Sequence, residues 1–159
     1  MKYTTKQRQR GVTLPEMGLY VGVLAVLGVV VAANWGNVQA GIKIEQAFAE
    51  IVKVMGAAQA YRASPANSGS FTGVTVTVLE NNGYNVRPFT TGTNQNTYGL
   101  TVAVVAAGTP AGSDATLTYQ VGIAEDCEQL EARFQNTAGV KGTPACGTTA
   151  PITLTLTLE

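Results

Sequence analysis

Residues 10–16 read RGVTLPE, and residues 17–33 continue as MGLYVGVLAVLGVVVAA. The eleven residues up to Gly11 carry four basic side chains and no acidic one. Glu16 is the only charged residue between Gly11 and Ile42. Because about 20 helical residues, each rising about 1.5 Å, cross a hydrocarbon core of about 30 Å, this stretch predicts a membrane-spanning helix. The rest of the chain is arranged around it.

The order of basic leader, glycine and apolar run differs from that of an ordinary secretory signal, whose cleavage site follows the apolar region. Here the candidate cleavage site, after Gly11, comes first, so cleavage would keep the apolar segment in the mature chain. The leader, Gly11, the apolar Val12 and a glutamate at the fifth mature position, Glu16, resemble the prepilin signature of type IV pilins. The resemblance implies cleavage between Gly11 and Val12 by a prepilin peptidase, followed by N-methylation of Val12.

Glu16 lies inside the apolar segment, where insertion scales penalise a carboxylate by about 2.5 to 3.5 kcal/mol. A plain signal anchor, the alternative reading, gives this residue no role. Cleavage after Gly11 would create an ammonium group at Val12, and the attraction between the two charges is strong in a medium of low dielectric. We therefore expect Glu16 of one subunit to neutralise the Val12 amine of a neighbour. The resemblance implies the same assembly role for Glu16.

One long helix is predicted from Val12 to about Ala63. Its first half is apolar on all sides and includes Gly18 and Gly22, whose spacing lets membrane helices approach closely. In its second half apolar residues recur every three or four positions, as in an amphipathic helix with one face toward a core. Those positions are Ile44, Phe48, Ile51, Met55 and Ala58.

The predicted organisation has three parts: residues 1–11 form the leader, residues 12–40 the transmembrane and fibre-core half of the helix, and residues 41–159 a globular head. The predicted fold class is α+β, with a long N-terminal helix whose hydrophobic half protrudes and whose other half packs on an antiparallel sheet, as in pilins. Within the head, residues 74–82 are open between strand and helix. The turn Asn81-Asn82-Gly83-Tyr84 resembles the turn that ends a short helix in type IVb major pilins of conjugative thin-pilus systems, and this resemblance favours a helix.

Alternating apolar and polar residues predict the sheet of the head. Two strands, Tyr98–Ala106 and Ala115–Ile123, are expected to form a hairpin, and Ile152–Leu158 to close the sheet as a terminal strand. Between them, Glu125–Gln135 is expected to form a short helix capped by Asp126.

The two cysteines, Cys127 and Cys146, both lie in the predicted head. In an oxidising compartment an even pair indicates one disulfide, and closing a loop of about 20 residues stabilises a fold by roughly 3 kcal/mol in the chain-entropy model. The alternatives are a metal site or a catalytic thiol. The chain has no histidine and no second cysteine pair, so a zinc site would lack ligands.

Composition argues against several other functions. Without histidine, the Ser-His-Asp and Cys-His arrangements of hydrolases are impossible in their usual form. The acidic run of Glu125, Asp126, Glu128 and Glu131 suits a solvated helix N-terminus better than a glycosidase pair. Removing the leader leaves six basic and ten acidic residues, a net charge of −4, which disfavours nucleic-acid binding. We expect no enzyme activity, no cofactor and no metal.

The function predicted from the resemblance is that of a major structural subunit of a type IV pilus of the type IVb kind. Its partners would be further copies of itself, prepilin peptidase, an assembly ATPase with its platform protein, and a secretin. The precursor would reside in the inner membrane and the mature subunit in an extracellular pilus, also called a fimbrium. The alternatives are a minor pilin or type II secretion pseudopilin, a membrane-anchored exported enzyme, and a DNA-receptor pilin. The sequence does not distinguish conjugation from cell adhesion, motility or uptake.

Overall fold

The computed structural model describes residues 14–86 and 95–159. They form a chain of three helices and four strands: α1 Leu14–Ala63, α2 Val76–Asn81, β1 Val102–Ala107, β2 Asp114–Val121, α3 Ala124–Phe134, β3 Ala145–Cys146 and β4 Ile152–Leu158. The strands make one antiparallel sheet in the order β1-β2-β4-β3. The second half of α1 packs on this sheet, so the predicted α+β fold is confirmed.

Two units follow each other along the chain, divided between Ala40 and Gly41. In the described residues the first unit consists of the apolar half of α1 alone. The second unit, residues 41–159, contains the remainder of α1 and every other element, and we refer to it as the head.

The sheet has one apolar face and one polar face, as its alternating sequence requires. The apolar face brings together residues from three strands, and they are fully or almost fully buried: Val102, Val104, Ala115, Leu117, Tyr119, Val121, Leu154, Leu156 and Leu158. The opposite face is rich in threonine, and cross-strand pairs such as Thr116 with Thr157 and Thr118 with Thr155 remain partly exposed. The core therefore lies on one side of the sheet only.

The amphipathic half of α1 supplies the other wall of the core. Ile44, Ile51, Met55 and Ala58 are buried as predicted, while Phe48 is partly buried and stacks on Phe134 of α3 with ring centroids 4.9 Å apart. The same aromatic pair brings α3 against α1. Each large apolar side chain that is fully buried contributes about 1.5–3 kcal/mol to folding.

Helix α2 resolves the open prediction for residues 74–82 in favour of a helix. Thr75 is its N-cap, and the Thr75 side chain accepts a hydrogen bond of 3.1 Å from the Val78 amide. Val76 and Leu79 face the core, three residues apart. Two factors together outweigh the β-propensity of the alternating valines and threonines. Thr75 caps the helix, and the apolar residues that are buried have helical spacing.

The structure corrects several details of the predicted head, one of which is the end of β2 at Val121 rather than Ile123. Strand β1 begins at Val102 rather than Tyr98, because the Asn96 side chain accepts hydrogen bonds from the Tyr98 and Leu100 amides and folds that stretch into a loop. Asp126 does not cap α3, since the N-cap is Ile123 and no side chain caps that end by a hydrogen bond. Strand β3, within the segment between the two cysteines, was not predicted.

The loop after α1 is tied to the hairpin loop between β1 and β2. The Phe71 amide donates to the Gly112 carbonyl oxygen at 2.8 Å, and Gly112 has φ +84°. A Cβ at that position would overlap the Ser70 and Thr72 hydroxyls. Glycine is therefore needed here for both its conformation and its lack of a side chain.

Candidate functional site

The apolar half of α1 is the largest exposed feature of the described chain. Every residue from Leu14 to Gln39 is exposed, and large side chains such as Leu24 and Val29 keep 67% and 70% of their surface open. The most apolar 18-residue window reaches a mean hydropathy of 2.1, and none of it is buried. By length and composition, this is a helix that can cross a membrane.

An exposed apolar surface of this extent is unfavourable in water. Covering each of its large side chains with lipid or protein would contribute about 1.5–3 kcal/mol. Contiguous patches of this kind mark interaction or membrane surfaces. The segment is therefore a candidate for both membrane anchoring and assembly.

Glu16 lies in the first turn of α1. An acidic side chain at this position is stabilised by the positive end of the helix dipole. The predicted cleavage and methylation residues, Gly11 and Val12, lie outside the described residues. The assembly role of Glu16 stays a prediction.

Gly18 and Gly22 leave the helix surface open. A Cβ built at either position would meet no atom within 4 Å. A shallow apolar groove passes Gly22 and is lined by Leu19, Val23, Val26 and Leu27. The backbone is thus accessible to a closely packed neighbour at this point, as the GxxxG spacing predicts.

The structure brings Cys127 and Cys146 together in a disulfide, with Cα atoms 6.0 Å apart. Cys127 lies in α3 and is buried, while Cys146 lies in β3. The bridge therefore joins the helix to the short edge strand. The segment between the cysteines is also held by backbone hydrogen bonds, including one from the Lys141 amide to the Thr157 carbonyl oxygen at 2.7 Å.

A polar cluster that sequence reasoning did not identify lies between α1 and the sheet. Glu50 is 4% exposed, and its Oε2 atom accepts hydrogen bonds from the Tyr119 hydroxyl at 2.5 Å and the Thr97 amide at 3.2 Å. A buried carboxylate needs such donors, because without them its burial would be costly. Glu50 thus ties α1 to β2 and to the loop before β1.

Two phenols of the cluster differ in their partners. The pKa of Tyr119 is raised, first by burial and then by its hydrogen bond to the Glu50 carboxylate. The pKa of Tyr98 is also raised, mainly by burial and then by the nearby Asp126 carboxylate. The Tyr98 hydroxyl is nevertheless buried without a hydrogen bond of acceptable geometry to any described residue. Tyr119 therefore has a directional partner that Tyr98 lacks.

The loop that carries Thr97 is organised by Asn96, which is 7% exposed. Its Oδ1 atom accepts hydrogen bonds from the Tyr98 and Leu100 amides, and its Nδ2 atom donates a hydrogen bond to the Gln120 carbonyl oxygen at 2.6 Å. Gly99, with φ +72°, completes the turn. The only sequence signal was the run of amides, threonine and glycine at residues 93–99, which marks a turn but not a buried one.

The acidic residues of α3 differ in their surroundings. Glu125 and Glu128 are exposed, whereas Asp126 faces inward near Tyr98. Within residues 14–86 and 95–159, no group of three or more histidine, cysteine, aspartate or glutamate side chains is placed to hold a metal ion.

Comparison of this chain with protein-family models, with curated proteins and with solved structures finds no match.

Proposed function

We propose that this chain is the major structural subunit of a type IV pilus of the type IVb kind, cleaved after Gly11 and polymerised through the apolar half of α1. The observation that carries the proposal is the division of one continuous helix. Residues 14–39 are exposed and apolar with a single carboxylate, Glu16, whereas residues 44–61 supply one wall of the core of the head. A filament subunit needs one surface for folding and another for other copies.

The same division supports two successive environments for the apolar half. Before assembly it would lie in the inner membrane, where its length and hydropathy fit. After extraction it would be covered by the corresponding helices of other subunits in an extracellular pilus. The partners that follow are prepilin peptidase, the assembly ATPase with its platform protein, and the secretin.

Glu16 would set the register of this packing by pairing with the Val12 amine of an adjacent copy. In the filament interior, removing one partner of a buried ion pair costs about 3–5 kcal/mol because the other charge remains. Glu16→Ala should therefore abolish filaments in sheared fractions while leaving the head folded. Glu128→Ala, which removes an exposed carboxylate on α3, is the matched control and should leave filaments intact.

Amino-terminal mass analysis of the mature protein provides the second test, with a methylated chain beginning at Val12 as the expected result. Normal filaments from Glu16→Ala, or a mature chain that retains Met1, would contradict the proposal. A chain that is processed at Gly11 but forms only a trace of the filament mass would instead identify a minor pilin or pseudopilin.

A further inference from the structure

The apolar half of α1 is bounded by a polar residue on each side. Glu16 precedes the apolar run and Asn34 follows it, and the 17 residues between them carry no charged or amide side chain. All 17 are exposed and helical. At about 1.5 Å per residue the run is about 25 Å long, whereas a typical hydrocarbon core is about 30 Å thick. The run is therefore at the short end of the range for membrane-spanning helices, by about one helical turn.

Asn34 sets the carboxyl-terminal end of the run, because the helix satisfies its amide group only in part. The Asn34 Nδ2 atom donates a hydrogen bond of 2.8 Å to the Val30 carbonyl oxygen, one turn earlier. A side-chain amide has two N–H donors and an oxygen acceptor, so this bond leaves groups that need water or lipid headgroups. Burying them in hydrocarbon would be costly. Asn37 and Gln39 follow at exposed positions, so amide side chains continue beyond this point.

Two aromatic side chains lie near the ends of the run. Tyr20 lies about one turn after Glu16 and is 62% exposed. Trp35 directly follows Asn34 and is 57% exposed. The two rings are 15 residues apart, or about 22 Å along the helix axis. Because tyrosine and tryptophan are enriched at both membrane–water interfaces, the aromatic pair indicates the same short span as the polar ends.

We propose that the apolar half of α1 is matched to a bilayer with a hydrocarbon core of about 25 Å, with Glu16 at one interface and Asn34 at the other. In a thicker bilayer the lipid must thin around the helix, at a cost that rises with each ångström of mismatch. In the matched position the Glu16 carboxylate lies at the headgroups, so its burial among apolar groups begins only at assembly. The proposal rests on the membrane stage of the proposed function, and leaving a thicker bilayer for the filament relieves the mismatch.

The test uses Trp35, which is the only tryptophan of the chain and lies at one end of the run. The full chain is reconstituted in vesicles that mix brominated dioleoylphosphatidylcholine, which quenches tryptophan fluorescence, with one unbrominated phosphatidylcholine. The acyl chains of the unbrominated lipid are varied from myristoleoyl and palmitoleoyl, which give thin bilayers, through oleoyl to eicosenoyl and erucoyl, which give thick ones. The relief of quenching measures the affinity of each lipid relative to the brominated reference.

The relative affinity should be highest for the dimyristoleoyl or the dipalmitoleoyl lipid. It should be at least about twofold lower for the dioleoyl lipid and should fall further as the chains lengthen, because the mismatch grows.

Two variants test the position of the boundary. Asn34→Leu extends the apolar run through Gly36 to 20 residues, or about 30 Å, and should move the preference to the dioleoyl lipid. Asn37→Leu makes the same change beyond Asn34 and should leave the preference unchanged. Both positions are exposed and precede the head, so near-ultraviolet circular dichroism should show the same folded head in both variants.

The proposal is overturned if all chain lengths bind equally or if the dioleoyl or a longer lipid binds best. It is also overturned if Asn34→Leu does not move the preference, or if Asn37→Leu moves it as far. Filaments in sheared fractions report on the proposed function separately. A chain that forms filaments but prefers thick bilayers contradicts only this inference, whereas one that prefers thin bilayers but forms no filaments contradicts only the proposed function.

Discussion

Replacing Tyr119 by phenylalanine tests whether the hydrogen bond to Glu50 holds α1 on the sheet. Tyr119 is fully buried, and its hydroxyl is one of two donors to Glu50 Oε2. Phenylalanine keeps the ring and its packing, so the change removes the hydrogen bond with little change in volume. A hydrogen bond to a charged acceptor contributes about 1.5–3 kcal/mol, so we expect Tyr119→Phe to lower the free energy of unfolding by that amount.

The matched control is Tyr98→Phe, which removes the buried hydroxyl of a second, partly buried tyrosine of the same cluster. Its hydroxyl makes no hydrogen bond of acceptable geometry to a described residue, so this change should leave the free energy of unfolding unchanged within about 0.5 kcal/mol or raise it. Urea denaturation of the full chain in micelles, followed by near-ultraviolet circular dichroism, measures both variants. Equal losses of stability in the two variants would refute the reasoning, because the loss would then not depend on the hydrogen bond to Glu50. No loss for Tyr119→Phe would refute it as well, because that hydrogen bond would then contribute nothing to the free energy of unfolding.

Three further predictions concern the head. Stability should fall as the pH rises above about 10, because the unfolded phenols of Tyr119 and Tyr98 ionise there while their raised pKa values keep the folded phenols protonated; Tyr119→Phe should reduce this slope, and the Tyr98 share should remain. Replacing Cys127 and Cys146 together by alanine opens a link between residues 19 apart and should lower the free energy of unfolding by roughly 3 kcal/mol, as measured in urea. Thr75→Ala removes the N-cap hydrogen bond of α2 and should cost about 1 kcal/mol, again measured in urea.

The controls for these predictions lie in the same elements. Thr77→Ala changes an exposed threonine inside α2 and should be neutral or slightly stabilising, since alanine favours helices. A stability loss at Thr77 equal to that at Thr75 would exclude the capping explanation. For the disulfide, reduction of the unmodified chain should reproduce the loss seen with the double alanine variant. A larger loss in the variant alone would indicate the cavity left by the buried Cys127 sulfur.

Sequence patterns defined the long elements because their periodicity is extended. The end of α1 lies at Ala63 as predicted, the bounds of β4 agree with the alternation of apolar residues, and four of the five predicted core positions of α1 are buried. These elements depend on residues close together in sequence. Local periodicity is sufficient for them.

The parts that sequence did not reveal depend on contacts between distant residues. Strand β3 has two residues and forms because β4 offers it an edge, while Asn96 shapes its loop by donating to Gln120, 24 residues away. Glu50 accepts hydrogen bonds from Thr97, which lies 47 positions later in the chain, and from Tyr119, which lies 69 positions later. On sequence alone Glu50 resembled any polar residue of an amphipathic helix, and only the sheet beneath it makes it a buried acceptor.

The strand order also determines when the head can fold. Strand β4 follows the other three along the chain, yet it lies between β2 and β3 in the sheet. Until residues 152–158 are available to pair, β2 lacks one of its two neighbouring strands and β3 has no strand to pair with. Native sheet formation, and with it a Cys127–Cys146 pairing held by β3, therefore follows the emergence of β4.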